Sequence, residues 1–230
     1  MKINNKIVIV TGASGGIGLA VAKVLAEKGA EVVLAARSSD KLKELEKEIP
    51  NSYAVPTDMR NIEDVKNLIQ STVKKFGRVD ILINNAGQGL HAPIEKININ
   101  SYREIIELNV ISPLEAMQEV IPLMRTQGGG LILNVSSMVS KNYYPELSAY
   151  ASTKYALNAI SLTAREELKK DNIIVSVFHP KMTATDFGKN SVGVPYSSSA
   201  GRPGMTVDTP EEVAEELVNL IESEEAEGNM

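Results

Sequence analysis

Lys6-Ile7-Val8-Ile9-Val10-Thr11-Gly12-Ala13-Ser14-Gly15-Gly16-Ile17-Gly18 reads as a strand, a glycine turn and the opening of a helix in one unbroken run. Lys6 to Val10 is β-branched with almost no polar alternation, as a strand covered by helices on both faces must be. Leu19 to Lys28 continues as a helix that Gly29 ends. Bare backbone at Gly12, Gly16 and Gly18 lets a pyrophosphate approach closely, while the helix N-terminus supplies amide donors and partial positive charge. Glycine clusters also occur in ordinary turns. Placed between a buried strand and a helix in the first βαβ unit, this one points to a dinucleotide.

Outward from that unit the alternation repeats. Glu31 to Ala35 gives a second strand, Lys41 to Glu48 a charged helix, and Tyr53-Ala54-Val55 a third strand just before Asp58 and Met59. Ile62 to Phe76 has helical apolar spacing and ends at Gly77; Asp80 to Ile83 is the fourth strand, closed by Asn84-Asn85-Ala86-Gly87 at the carboxyl edge, where open α/β sheets bind ligands. Ser101 to Met124 reads as a long helix through Asn109, with a kink or break expected from Pro113 and Pro122. Leu131 to Val135 is the fifth strand and delivers Ser136 and Ser137 to the same edge; Ile173 to Phe178 is the sixth, ended by His179-Pro180. The sequence thus predicts one domain over 1–230, an α/β doubly wound parallel sheet of six strands with helices on both faces. Residues 181–206, aperiodic and rich in Gly, Ser, Thr and Pro, read as a mobile substrate loop. Thr209-Pro210-Glu211-Glu212 opens a last helix with a capping box, and Glu222 to Glu227 reads as a frayed acidic end.

Composition narrows the function classes. The 230 residues, 43% hydrophobic, suffice for one large core, and the absence of cysteine excludes disulfides, thiolate nucleophiles and zinc ribbons. A net charge of -5 without a basic cluster argues against nucleic acid. The chain has no run of apolar residues long enough to span a membrane, and its start does not read as a signal peptide, so a cytoplasmic protein is expected.

Tyr150 and Lys154 stand four residues apart in the helix beginning near Ala149, so both side chains leave one face. A free phenol has a pKa of about 10, and a nearby ammonium would lower it toward the range useful for general acid-base work. His91 and His179 fall into no triad or metal pattern and read as loop or strand-end residues. Gln88, Leu90 and His91, just past Gly87, are candidates for the substrate pocket.

Together these motifs resemble the short-chain dehydrogenase/reductase family over nearly the whole chain. Its TGxxxGxG turn is similar to Thr11 through Gly18, its NNAG segment to Asn84 through Gly87, and its YxxxK pair to Tyr150 and Lys154. Its serine, thirteen residues before the tyrosine, selects Ser137 over Ser136, and its helix asparagine matches Asn109. The resemblance implies a Rossmann-type domain and hydride transfer between a nicotinamide and a carbonyl or secondary alcohol. It implies Tyr150 as proton exchanger, Lys154 lowering its pKa and binding the nicotinamide ribose, Ser137 orienting the substrate oxygen, and Asn109 holding a water beside Lys154. The residues expected at the cofactor are Gly12, Ser14, Gly16, Ile17, Gly18, Arg37, Ser38, Asp58, Met59, Asn85, Ala86, Gly87, Tyr150, Lys154, Pro180, Thr183 and Thr185.

Two departures stand out: Lys181 occupies the place where relatives often carry glycine, and the chain ends before the place of a seventh strand. A cofactor-binding regulatory protein on the same fold is the alternative reading, but it has no need of Ser137, Tyr150 and Lys154 in register. A methyltransferase of similar topology explains the glycine turn alone.

The end of the second strand bears on cofactor choice. Ala36 stands where an NAD site needs an acid for the ribose 2′-hydroxyl, and Arg37 follows, with Ser14 and Ser38 as further donors, so NADP(H) is expected over NAD(H). The helices holding Asn109 and Tyr150 carry apolar residues nearly all round, among them Ile105, Ile106, Leu108, Val110 and Ile111 on the first and Tyr155, Leu157, Ile160 and Leu162 on the second. A homodimer through these helices is expected.

Overall fold

The computed structural model describes residues 1–193 and 207–230. Its frame is a parallel sheet of β1 (Ile7–Thr11), β2 (Glu31–Ala36), β3 (Ser52–Pro56), β4 (Ile81–Asn84), β6 (Gly130–Val135) and β7 (Ile173–His179), mostly apolar and buried except at the edge strand β3, where only Val55 is buried. Between β4 and β6 lies the short β5 (Leu90–His91), which pairs with β8 (Val192–Gly193) in a separate two-stranded sheet. The main sheet runs in the order β3-β2-β1-β4-β6-β7-β9, with β9 at Glu227–Asn229, so the strand order reverses between β1 and β4. That switch leaves a crevice at the carboxyl ends of two adjacent strands.

Helices cover both faces. On one side α1 (Gly16–Glu27), α2 (Ser39–Glu48) and α7 (Pro210–Ser223) pack Leu25, Leu42, Leu45, Leu217 and Ile221 against Val8, Val10, Ile81 and Leu131. On the other, α3 (Ile62–Phe76) and α5 (Ser112–Gln127) contribute Val65, Leu68, Met117 and Val120 to a core with Ile9, Val33, Leu82 and Ile132. Side chains of one strand alternate between the two cores, which is why the strands lack polar alternation. Helix ends follow local chemistry. The Asn61 side chain accepts from Glu63 N at 3.0 Å to start α3, Gly77 ends it at φ 81°, and Thr209 with Glu212 forms the expected capping box on α7.

Three expectations change. Among the described residues the main sheet has seven strands, not six, because β9 (Glu227–Asn229) adds to the edge beside β7. The acidic end is therefore not frayed. Glu224 turns at φ 62° with its N–H capping Leu220 O, Ser176 Oγ donates to Glu225 O at 2.6 Å, and Val177 N donates to Ala226 O at 2.9 Å. An edge strand pairs through its backbone, so Glu-Gly-Asn forms one despite poor strand propensity.

The long helix through Asn109 is three pieces: α4 (Ile99–Ile106), a π turn (Glu107–Ile111) and α5. Pro113 has no N–H for the carbonyl four residues back, that of Asn109, and the ladder widens until Ser112 N–H reaches Glu107 O. Pro122 does not interrupt α5.

Of the expected loop at 181–206, residues 194–206 lie outside the described residues. The preceding part is tied at both ends: Thr183 bridges Asp208, and Val192 N donates to Gly89 O at 2.9 Å beside β8.

Candidate active site

The glycine turn closes on itself through backbone contacts that tolerate no side chain. Gly12 and Gly16 have φ of 70° and 55°, and a Cβ at Gly18 would collide with Gly12 O and Asn85 Nδ2. Thr11 fastens this turn to the end of β4. Its Oγ1 accepts from Asn85 N at 2.9 Å and Ala86 N at 3.0 Å, while Asn85 Nδ2 donates to Thr11 O at 2.9 Å. Thr11 stood in the motif but not among the expected site residues; the paired amides it receives are visible only in three dimensions.

The donor set fits a phosphate. Gly15 is the N-cap of helix α1, with no side-chain cap and no acid in the first turn, so among the described residues its leading N–H groups have no capping side chain. A Cβ built on Gly15 meets nothing within 4 Å, which leaves the outer side of the turn open. Ser14 and Ile17 are half-buried in the turn, and Thr185 sits over Gly16, whose added Cβ would lie 3.2 Å from Thr185 Cγ2.

At the end of β2, Arg37 and Ser38 are exposed and Ala36 is buried; Ser38 precedes α2 without a side-chain cap bond. Asp58 is half-buried with its carboxylate on Arg60 N at 3.1 Å, and Met59 is buried beside it. Pro180 O accepts from Met138 N at 3.0 Å, and Thr183 Oγ1 donates to Lys181 O at 3.1 Å. Lys181 is not among the residues with positive φ, so the backbone there follows a path open to any side chain.

Tyr150, Lys154, Ser137 and Asn109 converge beside Gly87. Helix α6 (Ser148–Leu168) carries Tyr150 and Lys154, both buried. Lys154 Nζ donates to Val135 O at 2.9 Å and lies 5.8 Å from the centre of the Tyr150 ring. Ser137 is the side chain that tempers the Tyr150 phenol, and its Oγ accepts from Val139 N at 3.3 Å. Asn109 is fully buried in the π turn; its Oδ1 accepts from Gln88 N and its Nδ2 donates to Gln88 O, both at 2.9 Å, with Thr153 Oγ1 a further acceptor at 3.1 Å. A Cβ on Gly87 would stand 3.2 Å from Asn109 Oδ1 and 3.6 Å from Lys154 Nζ, so glycine keeps the space between them clear.

Two further side chains join this group. Gln88 accepts from Arg60 Nη2 at 2.9 Å and donates to Asn190 O at 3.0 Å, linking the loop after β3 to the segment before β8. The Phe187 ring lies 5.6 Å from that of Tyr150. Nothing in a loop with no period marks Phe187 in the sequence.

The electrostatics differ from the expectation that the ammonium lowers the phenol. Burial pushes the Tyr150 pKa up, and only the Ser137 hydrogen bond opposes it. Lys154 makes no ion pair with it; burial lowers the Lys154 pKa to about 8. His91, half-buried in β5, is held below its ordinary range by burial, with Glu146 opposing.

The Lys154 shift sets a sign for stability. Between pH 8 and 10.5 the folded chain binds fewer protons at this lysine than the unfolded chain, so stability should rise with pH across that window. Urea unfolding of the wild type and Lys154→Met at several pH values from 8 to 10 should show the difference between them moving in favour of the wild type as pH rises. A difference independent of pH would contradict the buried ammonium.

The family model for short chain dehydrogenases matches residues 6–193. An uncharacterised oxidoreductase of Staphylococcus aureus (strain MW2) is 35% identical over 185 residues, covering 80% of this chain and 80% of that protein. Among solved structures, the 3-ketoacyl-(acyl-carrier-protein) reductase from Brucella melitensis complexed with NADH is similar at a TM-score of 0.86 and 28% identity, over 95% of this chain and 91% of that one. A 7α-hydroxysteroid dehydrogenase complexed with NADH and 7-oxo glycochenodeoxycholic acid gives 0.86 and 30%, over 95% and 88%. An alcohol dehydrogenase from the archaeon Thermococcus sibiricus, complexed with 5-hydroxy-NADP, gives 0.85 and 27%, over 99% and 95%. The chain whose strand, glycine turn and buried Tyr150 and Lys154 share this one sheet edge belongs to the short-chain dehydrogenase family and is an oxidoreductase.

Proposed function

We propose that the protein is an NADP(H)-dependent reductase or dehydrogenase acting on a carbonyl or secondary alcohol. The observation that carries the reading is the convergence of Tyr150, Ser137 and Lys154 at the edge where the glycine turn offers its amides. The cofactor would be held by the glycine turn from Gly12 to Gly18, by Asn85 to Gly87 and by Arg37, and the chemistry it supplies is the hydride. Ser137 and Tyr150 present two hydroxyls to one substrate oxygen, and Tyr150 gives or takes the proton. The buried phenol holds its proton, which suits it to donate toward a carbonyl oxygen as charge develops there. Lys154 places a titratable ammonium beside the ring, and Asn109 fixes the backbone of Gln88 against it. Two of the similar solved structures bear on the substrate class by their own chemistry, a 3-ketoacyl reductase and an enzyme bound to a 7-oxo steroid. A cytoplasmic site of action accords with a free pyridine nucleotide as co-substrate.

Tyr150→Phe deletes the hydroxyl alone. It should leave cofactor binding nearly intact and lower turnover at least about a hundredfold, the lower range for general acid catalysis. Near wild-type turnover on any substrate the parent accepts would remove Tyr150 from the role.

The preference for NADP(H) rests on Arg37, exposed at the carboxyl end of β2 next to Ala36. A guanidinium engages a 2′-phosphate through paired charge-assisted hydrogen bonds worth about 1.5 to 3 kcal/mol each, and no carboxylate stands at Ala36 to repel it. Dissociation constants measured for both cofactors should show NADPH weakening at least about tenfold in Arg37→Ala, with NADH little changed. Ala36→Asp should weaken NADPH as well. A parent that binds NADH more tightly overturns the preference.

Two copies should pair through α4, the π turn, α5 and α6. Ile105, Val110 and Leu157 turn inward and are buried in the protomer, but Ile106, Leu108, Ile111, Ile160 and Leu162 remain partly exposed. Tyr155 stacks on Tyr143 with ring centres 6.1 Å apart, and Tyr143 is 90% exposed. A partner covering this stripe would remove it from water. Sedimentation at micromolar concentration should report a dimer, and a monomer alone would count against it.

A further inference from the structure

His179 is one of the chain's two histidines and lies fully buried at the end of β7, with no part in the chemistry assigned above. Its Nε2 stands 3.0 Å from Glu227 Oε1 on β9, and its Nδ1 stands 3.3 Å from Ser140 Oγ. Counting protons fixes the ring. The Lys141 ammonium, donating at 2.7 Å, holds the Glu227 carboxyl below its usual range, and an ionised carboxylate only accepts, so Nε2 carries the hydrogen. Ser140 has a single proton; it is directed mainly at the Ser137 carbonyl at 2.6 Å and shared in the longer arm of a three-centre bond with Nδ1, which accepts, while Asn158 Nδ2 donates to Ser140 Oγ at 2.9 Å.

We propose that His179 is a positioning residue that fastens the C-terminal strand to the loop of Ser137. Glu227 holds Nε2–H from β9. Ser140, against Nδ1, holds the Ser137 carbonyl from its backbone N–H at 3.0 Å as well as from its hydroxyl. Ser136 Oγ joins at 3.2 Å, and Ser136 N donates to Phe178 O at 2.7 Å, so the segment leading into Ser137 is tied to the same end of β7. The inference rests on Ser137 orienting the substrate oxygen.

The tie responds to acid. The charged groups facing the ring are Glu227 and Lys141; Ser136, Ser140 and Asn158, from the other packed segments, are neutral. Burial holds the imidazole below its ordinary range, with Glu227 opposing in part. The folded chain therefore binds the second proton less readily than the unfolded chain does. The stabilising arrangement is complete above the ordinary histidine range and is lost as pH falls through the lowered folded value.

The test combines nitrogen NMR of the two imidazoles with kinetics on a substrate the parent accepts. His91→Asn identifies the His179 signals, which should show the Nε2–H tautomer at neutral pH and shift in Glu227→Gln. The Glu227→Gln and His179→Leu variants should lose at least about fivefold in kcat, the scale of one neutral hydrogen bond, with cofactor affinity unchanged. His179→Gln, which can still donate toward Glu227, should recover most of the loss, and the acidic limb of the wild-type kcat profile should be absent from it. An imidazole indifferent to Glu227→Gln, or full kcat in both Glu227→Gln and His179→Leu, overturns the proposal. Ser137→Ala separates the two readings: if it keeps full turnover, the role of Ser137 fails, while the imidazole signals still decide whether the tie exists.

Discussion

Holding an ammonium at the edge of an apolar sheet is the constraint to which the surrounding structure answers. Lys154 is 4% exposed and donates to Val135 O at 2.9 Å, so the protein carries a charge that water would solvate better. Such a site is a cost to folding, and it persists only because rigid neighbours leave the side chain no alternative position. Val135 ends β6, where it pairs with Phe178 of β7, and the residue before it, Asn134, pairs with Asn84 of β4, so its carbonyl is held by the sheet. Gly87 supplies the remaining space, since a Cβ there would crowd Asn109 Oδ1 at 3.2 Å and touch Lys154 Nζ at 3.6 Å.

Buried amides set the register of everything that meets at this edge. Asn84 Nδ2 donates to Asn134 Oδ1 at 2.8 Å across β4 and β6, and Asn134 Nδ2 donates to Ser161 Oγ at 2.8 Å on α6. That chain of bonds locks α6 along the sheet, and with it the distance from Tyr150 to Ser137. An apolar core alone would permit a helix to slide by a turn at little cost, because leucine and isoleucine contacts are non-directional. Directional bonds in a low dielectric forbid it, since each partner left unmade costs about 1 to 3 kcal/mol. Asn109 does the same for the loop after β4, gripping both the N–H and the carbonyl of Gln88.

Features that depend on backbone geometry within a short stretch were legible in the sequence. The turn from Thr11 to Gly18 announces itself because glycine adopts φ of 70° at Gly12 without strain and leaves room for Gly12 O and Asn85 at Gly18. Tyr150 and Lys154 were legible because helical spacing puts them on one face. What escaped depends on partners distant in sequence. Glu227 to Asn229 form a strand by virtue of the free edge of β7, which their own propensities do not signal. The π turn follows from Pro113 acting on Asn109, a relation that suggested a kink but not its form. The phenol's raised pKa follows from burial, a property of the assembled site that the spacing of a Tyr and a Lys does not encode.

Gln88 illustrates how a site can communicate across itself without a dedicated element. Its backbone is held by Asn109, its amide oxygen by Arg60 and its amide nitrogen by Asn190. Arg60 follows Asp58 and Met59, on the side assigned to the nucleotide, whereas Asn190 leads into β8 and lies three residues past Phe187, whose ring rests on Tyr150. A displacement of Arg60 therefore reaches the Phe187 segment through a single side chain, and the Asn109 grip prevents Gln88 from following either partner freely. Among the described residues this bridge adds to the short pairing of β8 with β5 at Leu90–Val192 and His91–Gly193 and to the bond from Val192 N to Gly89 O. The segment's hold on the site thus joins the polar Gln88 bridge to the Phe187 ring against Tyr150.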